Sequence, residues 1–205
     1  MPNSKTMFIA EIAGPGGSYD KIDAWVRKVA AAISGTAGLE RVGRYRRLND
    51  NCALLVAEFA DGAETEDVAQ ALSAPPSSLK VKTATGRQLS EQRRADAAAD
   101  PRESSLFYTV SFPVPADREP ALSEWYELEH APLLLGSEHW SMVRRYHLTG
   151  PAADEWGPHL AVHYLTDIRA LRSPERDSAR STPWRKRLEV EPWFRGRYNV
   201  CLQEL

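Results

Sequence analysis

The spacing of hydrophobic residues along the chain alternates between that of β-strands and that of helices, and this alternation predicts the order of the secondary-structure elements. Short segments in which apolar residues alternate with polar ones, or run without a break, are typical of β-strands. Between them, apolar residues recur every three or four positions, as in Ile22, Val26, Val29 and Ile33, which indicates one face of a helix. The pattern predicts strands at 7–13, 41–48, 52–59 and 79–85 and helices at 18–34, capped by Ser18, and 64–72.

The same order of elements returns in the second half of the chain. Strands are predicted at 106–114, 140–148, 158–165 and 197–202, with helices at 117–135 and within 167–193. The pairs Arg44-Tyr45 and Arg145-Tyr146 lie at corresponding points, 101 residues apart. Each half therefore has the β-α-β-β-α-β order of a ferredoxin-like fold.

The two halves predict an α+β protein with tandem ferredoxin-like repeats. Such a sheet carries helices on one face only, so its other face has to be covered. Two sheets that face each other achieve this in a dimeric-α/β-barrel-type architecture. We expect residues 1–87 to form the first half, 88–105 a linker and 106–205 the second half. The sequence leaves open whether one chain closes the barrel or a homodimer does.

Composition excludes several kinds of partner. The 205 residues include 26 Lys and Arg and 28 Asp and Glu, a net charge of −2, which argues against a general binder of nucleic acid or anionic membranes. No apolar run approaches the roughly 18 residues of a transmembrane helix, and no secretory signal is evident. Cys52 and Cys201 fall in predicted strands and suit free thiols in a reducing compartment. We therefore expect a cytoplasmic protein.

Strand alternation indicates polar side chains inside the molecule. His159 and His163 share one side of the strand at 158–165, Tyr164 lies on the other, and Asn199 lies on the polar side of the last strand. If the apolar sides pack on helices, the polar sides line a space between sheets, which suits a ligand cavity. The alternative is a solvated edge. Four strand residues span about 13 Å, so the two histidines predict no metal site.

The segment 124–135 concentrates aromatic, acidic and imidazole groups on one predicted helix. Trp125, Tyr126, Glu129 and His130 stand at helical spacing, and Pro132 ends or kinks the helix beside His130. Because an unperturbed imidazole titrates near pH 6.5, His130 is a candidate general acid or base. The alternative is a buried histidine that only bonds a carbonyl.

The run Trp125-Tyr126 followed by His130-Ala131-Pro132-Leu133 resembles the signature helix of the EthD-like group in the dimeric α/β-barrel superfamily. The resemblance covers the second half. The first half has Trp25 in the corresponding helix but no His-x-Pro, and looks like a degenerate copy. The resemblance implies a small-molecule site between sheet and helices, without a cofactor, with His130 as acid/base. The superfamily includes decarboxylases, dehydratases, cyclases, isomerases, cofactor-independent monooxygenases, haem-binding branches and members of no known activity.

These observations predict a cofactor-independent enzyme of lyase or cyclase type that acts on a hydrophobic or aromatic, polyketide-like small molecule. His130 would be oriented by Glu129 or a carbonyl, and Arg145 and His163 would polarise or anchor an oxygen. The candidate substrate-binding residues are Trp125, Tyr126, Glu129, Tyr146 and Asn199. The arginines within 169–187 are expected on a solvated helix face. The alternatives are a cofactor-free monooxygenase and a non-catalytic small-molecule-binding or stress-response protein.

Overall fold

The computed structural model describes residues 5–15, 19–60, 63, 65–97 and 100–204. The described residues form eight strands: β1 Thr6–Ala13, β2 Leu39–Arg47, β3 Cys52–Phe59, β4 Lys80–Arg93, β5 Leu106–Phe112, β6 Trp140–Thr149, β7 His159–Leu165 and β8 Arg197–Glu204. They hydrogen-bond in the order β1-β3-β2-β8-β5-β7-β6-β4, which closes into a barrel within one chain. The predicted α+β fold of tandem ferredoxin-like repeats is confirmed.

The helices lie where the periodicity predicts them, except for a short helix at Ala153–Trp156, which the pattern did not predict. Their bounds are α1 Asp20–Ile33, α2 Glu66–Leu72, α3 Glu119–Trp125, α4 Ala131–Leu134, α5 Ala153–Trp156, α6 Pro174–Ser181 and α7 Pro183–Glu189. The predicted cap Ser18 lies outside the described residues. Within the described parts of the chain, no helix combines the length and the apolar character needed to cross a membrane.

The chain divides into two compact units, and the first has an apolar core. It comprises residues 1–89, 147–155 and 200–205. Strand β3 turns Ala53, Leu55, Ala57 and Phe59 towards the core cluster, which includes the apolar face of α1. Trp25 belongs to the same cluster. Since each fully buried large apolar side chain contributes roughly 1.5–3 kcal/mol, this packing is enough to hold α1 on the sheet.

The second unit comprises residues 90–146 and 156–199, and its long helix is interrupted. A 3₁₀ turn at Ala116–Arg118 leads into α3, and a π-helical turn at Tyr126–His130 separates α3 from α4. The N–H of Ala131 bonds the carbonyl of Tyr126, five residues back. Pro132 follows directly and has no N–H to donate, so a regular α-helical ladder cannot pass through it. The helix predicted at 117–135 is therefore divided into four segments: the 3₁₀ turn, α3, the π turn and α4.

Strand β4 is longer than its apolar pattern predicts. It continues to Arg93 and so enters the segment that we expected to be a linker. Its last residues are polar because they meet polar partners: Glu91 accepts a hydrogen bond from Arg144 at 2.6 Å, and Ser90 and Gln92 donate to the Glu127 carboxylate. The polar composition of this stretch reflects paired side chains on a strand.

The expected orientation of β7 is wrong. His163 lies on the side that faces the helices, where its ring is 6.3 Å from the ring of Tyr126. Tyr164, on the other side, packs edge-on against Phe107 and lies under the Arg144 guanidinium. The apolar side of the strand thus faces away from the helices, because the helices present aromatic and basic groups rather than an apolar stripe.

Candidate active site

A cavity of about 200 Å³ lies between the helix-facing side of β5 and β7 and the helical segments of the second unit. Aromatic side chains and two imidazoles form its buried part, three arginines add to the lining, and of these Arg180 is exposed to solvent, as is Tyr198. The lining residues are Tyr108, Val110, Phe112, Trp125, Tyr126, His130, Leu134, Trp140, His163, Arg176, Arg180, Arg185, Phe194, Gly196 and Tyr198. His163 and Trp140 are 1% exposed whereas Tyr198 is 65% exposed, so the cavity runs from the core to the surface.

The π-helical turn brings the aromatic and imidazole groups together. Trp125 and His130 stack with ring centroids 4.2 Å apart, and the Tyr126 ring stands edge-on to His130 at 5.1 Å. Residues five apart lie on different faces of a regular α-helix, where only spacings of three and four bring side chains together. The additional residue of the π turn places Trp125 beside His130. Such turns occur frequently at functional sites.

His130 presents a lone-pair nitrogen. Its Nδ1 lies 3.3 Å from the carbonyl oxygen of Ala179. Because a carbonyl can only accept, Nδ1 carries the hydrogen and Nε2 carries the lone pair. Burial, and then the nearby His163 and Arg185, hold the pKa of His130 well below its usual value, although the Ala179 carbonyl works in the opposite direction. His130 is therefore neutral at pH 7 and can accept a proton.

His163 presents the opposite form of the ring. The indole Nε1–H of Trp140 donates to its Nδ1 at 3.1 Å. In a neutral imidazole the hydrogen then sits on Nε2, which is buried and has no hydrogen-bond partner among the described residues. Burial, followed by the charge of Arg176, lowers the pKa of His163 to about 3. The ring stays neutral and offers an unused N–H donor.

Three arginines also line the cavity, which the sequence did not predict. Arg176 and Arg180 come from α6, and Arg185 comes from α7. We expected this segment to be a solvated helix face, but these three side chains converge on the cavity. Their spacing was a usable signal, since residues four apart on a helix share a face and Arg176 and Arg180 are so placed.

Several predicted site residues lie elsewhere. Of these, Arg145, Glu129, Tyr146 and Asn199 do not line the cavity. Glu129 accepts hydrogen bonds from Trp125 Nε1 at 3.1 Å and Thr182 Oγ1 at 2.6 Å, so it fixes the indole rather than His130. Tyr146 is buried. Asn199 donates to Thr109 Oγ1 at 3.1 Å, on the opposite side of β5 from Tyr108.

Arg145 supports the π-helical turn. It is buried and donates to Glu127 Oε1 at 2.9 Å and Ser123 Oγ at 3.0 Å. Its guanidinium lies 5.2 Å from the centre of the Tyr126 ring. Burial alone would raise the pKa of Glu127, but hydrogen bonds from Ser90, Gln92 and Arg145 outweigh it and the pKa is lowered. Arg145 therefore anchors the turn from outside the cavity.

The cavity is too small for a haem, the group that the resemblance noted above left open. Pockets for drug-sized ligands measure roughly 300–1,000 Å³. Haem exceeds such ligands in size, whereas this cavity measures about 200 Å³. The histidines of β7 also have separate partners: His159 Nε2 lies 3.1 Å from Glu119 Oε1, and His163 accepts from Trp140.

Solved structures share this architecture at low sequence identity. The chain is similar to an anthrone oxidase-like protein, with a TM-score of 0.66, 10% identity, and coverage of 99% of this chain and 92% of that one. It is similar to a monooxygenase-like protein from Listeria innocua, with a TM-score of 0.59, 12% identity, and coverage of 98% of this chain and 95% of that one. It is also similar to a chlorite dismutase variant from Candidatus Nitrospira defluvii, with a TM-score of 0.64, 13% identity, and coverage of 100% of this chain and 93% of that one. The chain has the ferredoxin-like dimeric α/β-barrel fold.

These similarities show the fold alone and do not single out the EthD-like group. No family model matches the chain, and no curated protein matches its sequence.

Proposed function

We propose that the protein is a cofactor-independent monooxygenase-type enzyme that acts on a small aromatic molecule with an acidic C–H activated by both an aromatic ring and a ketone. The observation that carries the proposal is the pair of neutral imidazoles with opposite hydrogen placement in one cavity. His130 offers a lone pair at Nε2, and His163 offers an N–H at Nε2. A base and a donor are the two groups that enolate formation requires.

In the proposed reaction, His130 Nε2 removes the proton from the acidic carbon. The electron pair moves onto the carbonyl oxygen, where the Nε2–H of His163 stabilises the resulting enolate. Because burial and Arg185 disfavour a cationic His130, the imidazole is a weak base and suits only an unusually acidic C–H. A methylene activated by both an aromatic ring and a ketone meets this requirement.

Molecular oxygen is the second substrate. The carbanion transfers one electron to O₂, and the two radicals combine to form a C–O bond as a peroxide anion. His130 returns its proton to this anion and gives a hydroperoxide. Loss of water, which takes the remaining hydrogen of that carbon and breaks the O–O bond, leaves a second carbonyl. The balance is CH₂ + O₂ → C=O + H₂O, so the substrate carbon is oxidised by four electrons and O₂ is reduced by four.

The pKa shifts in the cavity favour this chemistry over the lyase or cyclase reaction that we expected from the sequence. A lyase that protonates its leaving group in its first step needs, in the resting enzyme, an acid that can release a proton at neutral pH. Both imidazoles are neutral, and burial raises the pKa of Tyr108 and Tyr126 above the usual phenolic value. The anthrone oxidase-like and monooxygenase-like names of two structural relatives support the same choice.

The test is oxygen uptake with 2-indanone, which has one aromatic ring, measured with an electrode while the new carbonyl is followed by absorbance. We expect one O₂ per product. His130→Ala should reduce turnover at least about 100-fold, because it removes the general base. His163→Leu should reduce turnover about 10²-fold, because removal of one oxyanion donor typically lowers kcat by about 10²–10³-fold. His139→Ala is the matched control, since this imidazole lies outside the cavity.

Oxygen uptake that survives His130→Ala in a folded variant, judged by its thermal unfolding, would refute the proposal. Product formation without O₂ would instead support the lyase or cyclase reaction.

A further inference from the structure

We propose that the ligand of this cavity carries a carboxylate, or an equivalent anionic group, which Arg176, Arg180 and Arg185 bind. The inference rests on the proposed function, because it names the substrate class of the same site. It adds that the substrate is an aromatic acid that enters with its ketone towards His163 and its charged group towards the solvent.

The first step in the argument is charge. Three guanidinium groups line one small cavity, and none of the described residues that line it is Asp or Glu. The imidazoles add no charge, since both are neutral at pH 7. Because Glu189, outside the lining, pairs with Arg185 at 2.8 Å, the local charge is about +2, in contrast to the chain's overall −2. Such a concentration of one sign attracts a ligand of the opposite sign.

The second step is that protein groups leave the arginines with unused donors. Arg185 donates through Nε to Glu189 Oε1 at 2.8 Å and lies over the Phe194 ring at 5.3 Å. Arg176 donates through Nη1 to the Leu171 carbonyl at 2.9 Å, and its guanidinium also hydrogen-bonds the Tyr108 hydroxyl. Arg180 makes no hydrogen bond or ion pair within the described residues. Since each guanidinium has five N–H donors, donors remain for a ligand.

The third step is the cost of bringing these cations together. Burial lowers the pKa of Arg180, and the charges of Arg185 and Arg176 lower it further. The arginines therefore repel each other in the free protein. A carboxylate between them would relieve this repulsion and accept charge-assisted hydrogen bonds, which the planar guanidinium geometry favours.

The fourth step concerns the buried part of the cavity. The Nε2–H of His163 is fully buried without a partner in the described part of the chain, and it requires a hydrogen-bond acceptor. Benzene fits an engineered cavity of about 150 Å³. A cavity of about 200 Å³ thus holds one substituted aromatic ring, with its acceptor beside His163 and its anion among the arginines.

The test uses 4-acetylbenzoate, which has one ring, a ketone and a carboxylate, and its neutral counterpart 4-acetylbenzamide. Titration calorimetry with the full chain at pH 7.5 should show at least tenfold tighter binding of the carboxylate, and this preference should shrink with added salt. Arg180→Gln should weaken the binding of 4-acetylbenzoate at least about tenfold and leave the affinity for 4-acetylbenzamide unchanged. Arg187→Gln is the control, because it removes an exposed charge of α7 outside the cavity.

Equal binding of the two probes, no binding of either at 10 mM, or equal weakening by Arg180→Gln and Arg187→Gln would each overturn the proposal. Binding is measured without oxygen or turnover, so the result is independent of the oxygenase test. A carboxylate preference in a protein that consumes no O₂ would keep the anion site and reject the oxidation chemistry.

Discussion

Acidification should destabilise the protein through His163, and the size of the effect follows from its pKa. The folded pKa is about 3, whereas an unfolded imidazole titrates near 6.5. As pH falls below 6.5 the unfolded chain takes up a proton that the folded protein refuses. The free energy of unfolding is therefore fully retained above pH 6.5 and falls towards pH 3. Between pH 7.5 and 5.0 one such group lowers it by about 2 kcal/mol.

Urea unfolding at pH 7.5 and 5.0 measures this difference. His163→Gln is the appropriate variant, because its amide oxygen can still accept the hydrogen bond from Trp140 while the side chain no longer titrates. The free energy of unfolding should fall by about 2 kcal/mol more in the wild type than in this variant. The pKa of His130 is lowered too, so the variant keeps some acid sensitivity. Equal pH dependence of the two proteins would refute the burial argument.

Two further substitutions test the support of the site. Pro132→Ala restores a backbone N–H and should favour a regular α-helix, in which His130 lies away from Trp125. Calorimetry should then show about tenfold weaker binding of 4-acetylbenzoate, while thermal unfolding should show no loss of stability. Glu127→Gln should cost about 1–3 kcal/mol in urea unfolding at pH 7, because Arg145 loses its charged partner. Since the folded pKa of Glu127 is lowered, that difference should shrink as pH falls below the unfolded pKa of about 4.3 and be lost only as pH passes the lower folded pKa.

The element order was predictable because local signals mark it. Alternating and helical hydrophobic periods placed the strands and helices of both halves, and the Arg-Tyr pairs revealed the repeat. The extension of β4 to Arg93 was not predictable in the same way. Its polar residues are paired with Glu127 and Arg144, which lie more than thirty residues away in sequence, and local composition carries no record of such partners.

The site was predictable in part. The motif placed Trp125, Tyr126 and His130, which all line the cavity, and strand alternation singled out His163. Alternation also gave the wrong side for His163, because the rule that apolar sides meet helices fails where helices cover a cavity. Tyr108, opposite His163 in the strand pairing, was missed for the same reason.

The location of the site in the second unit follows from what its sheet and helix lack. In β3, the side chains that meet the core cluster with α1 are Ala53, Leu55, Ala57 and Phe59, which fill the space beneath an uninterrupted helix. In β7, His159, Ala161 and His163 occupy the helix-facing side, and Pro132 forces the covering helix into a π turn. A close-packed interface cannot hold a ligand, whereas a widened turn over two imidazoles leaves a cavity and the groups that give it chemistry.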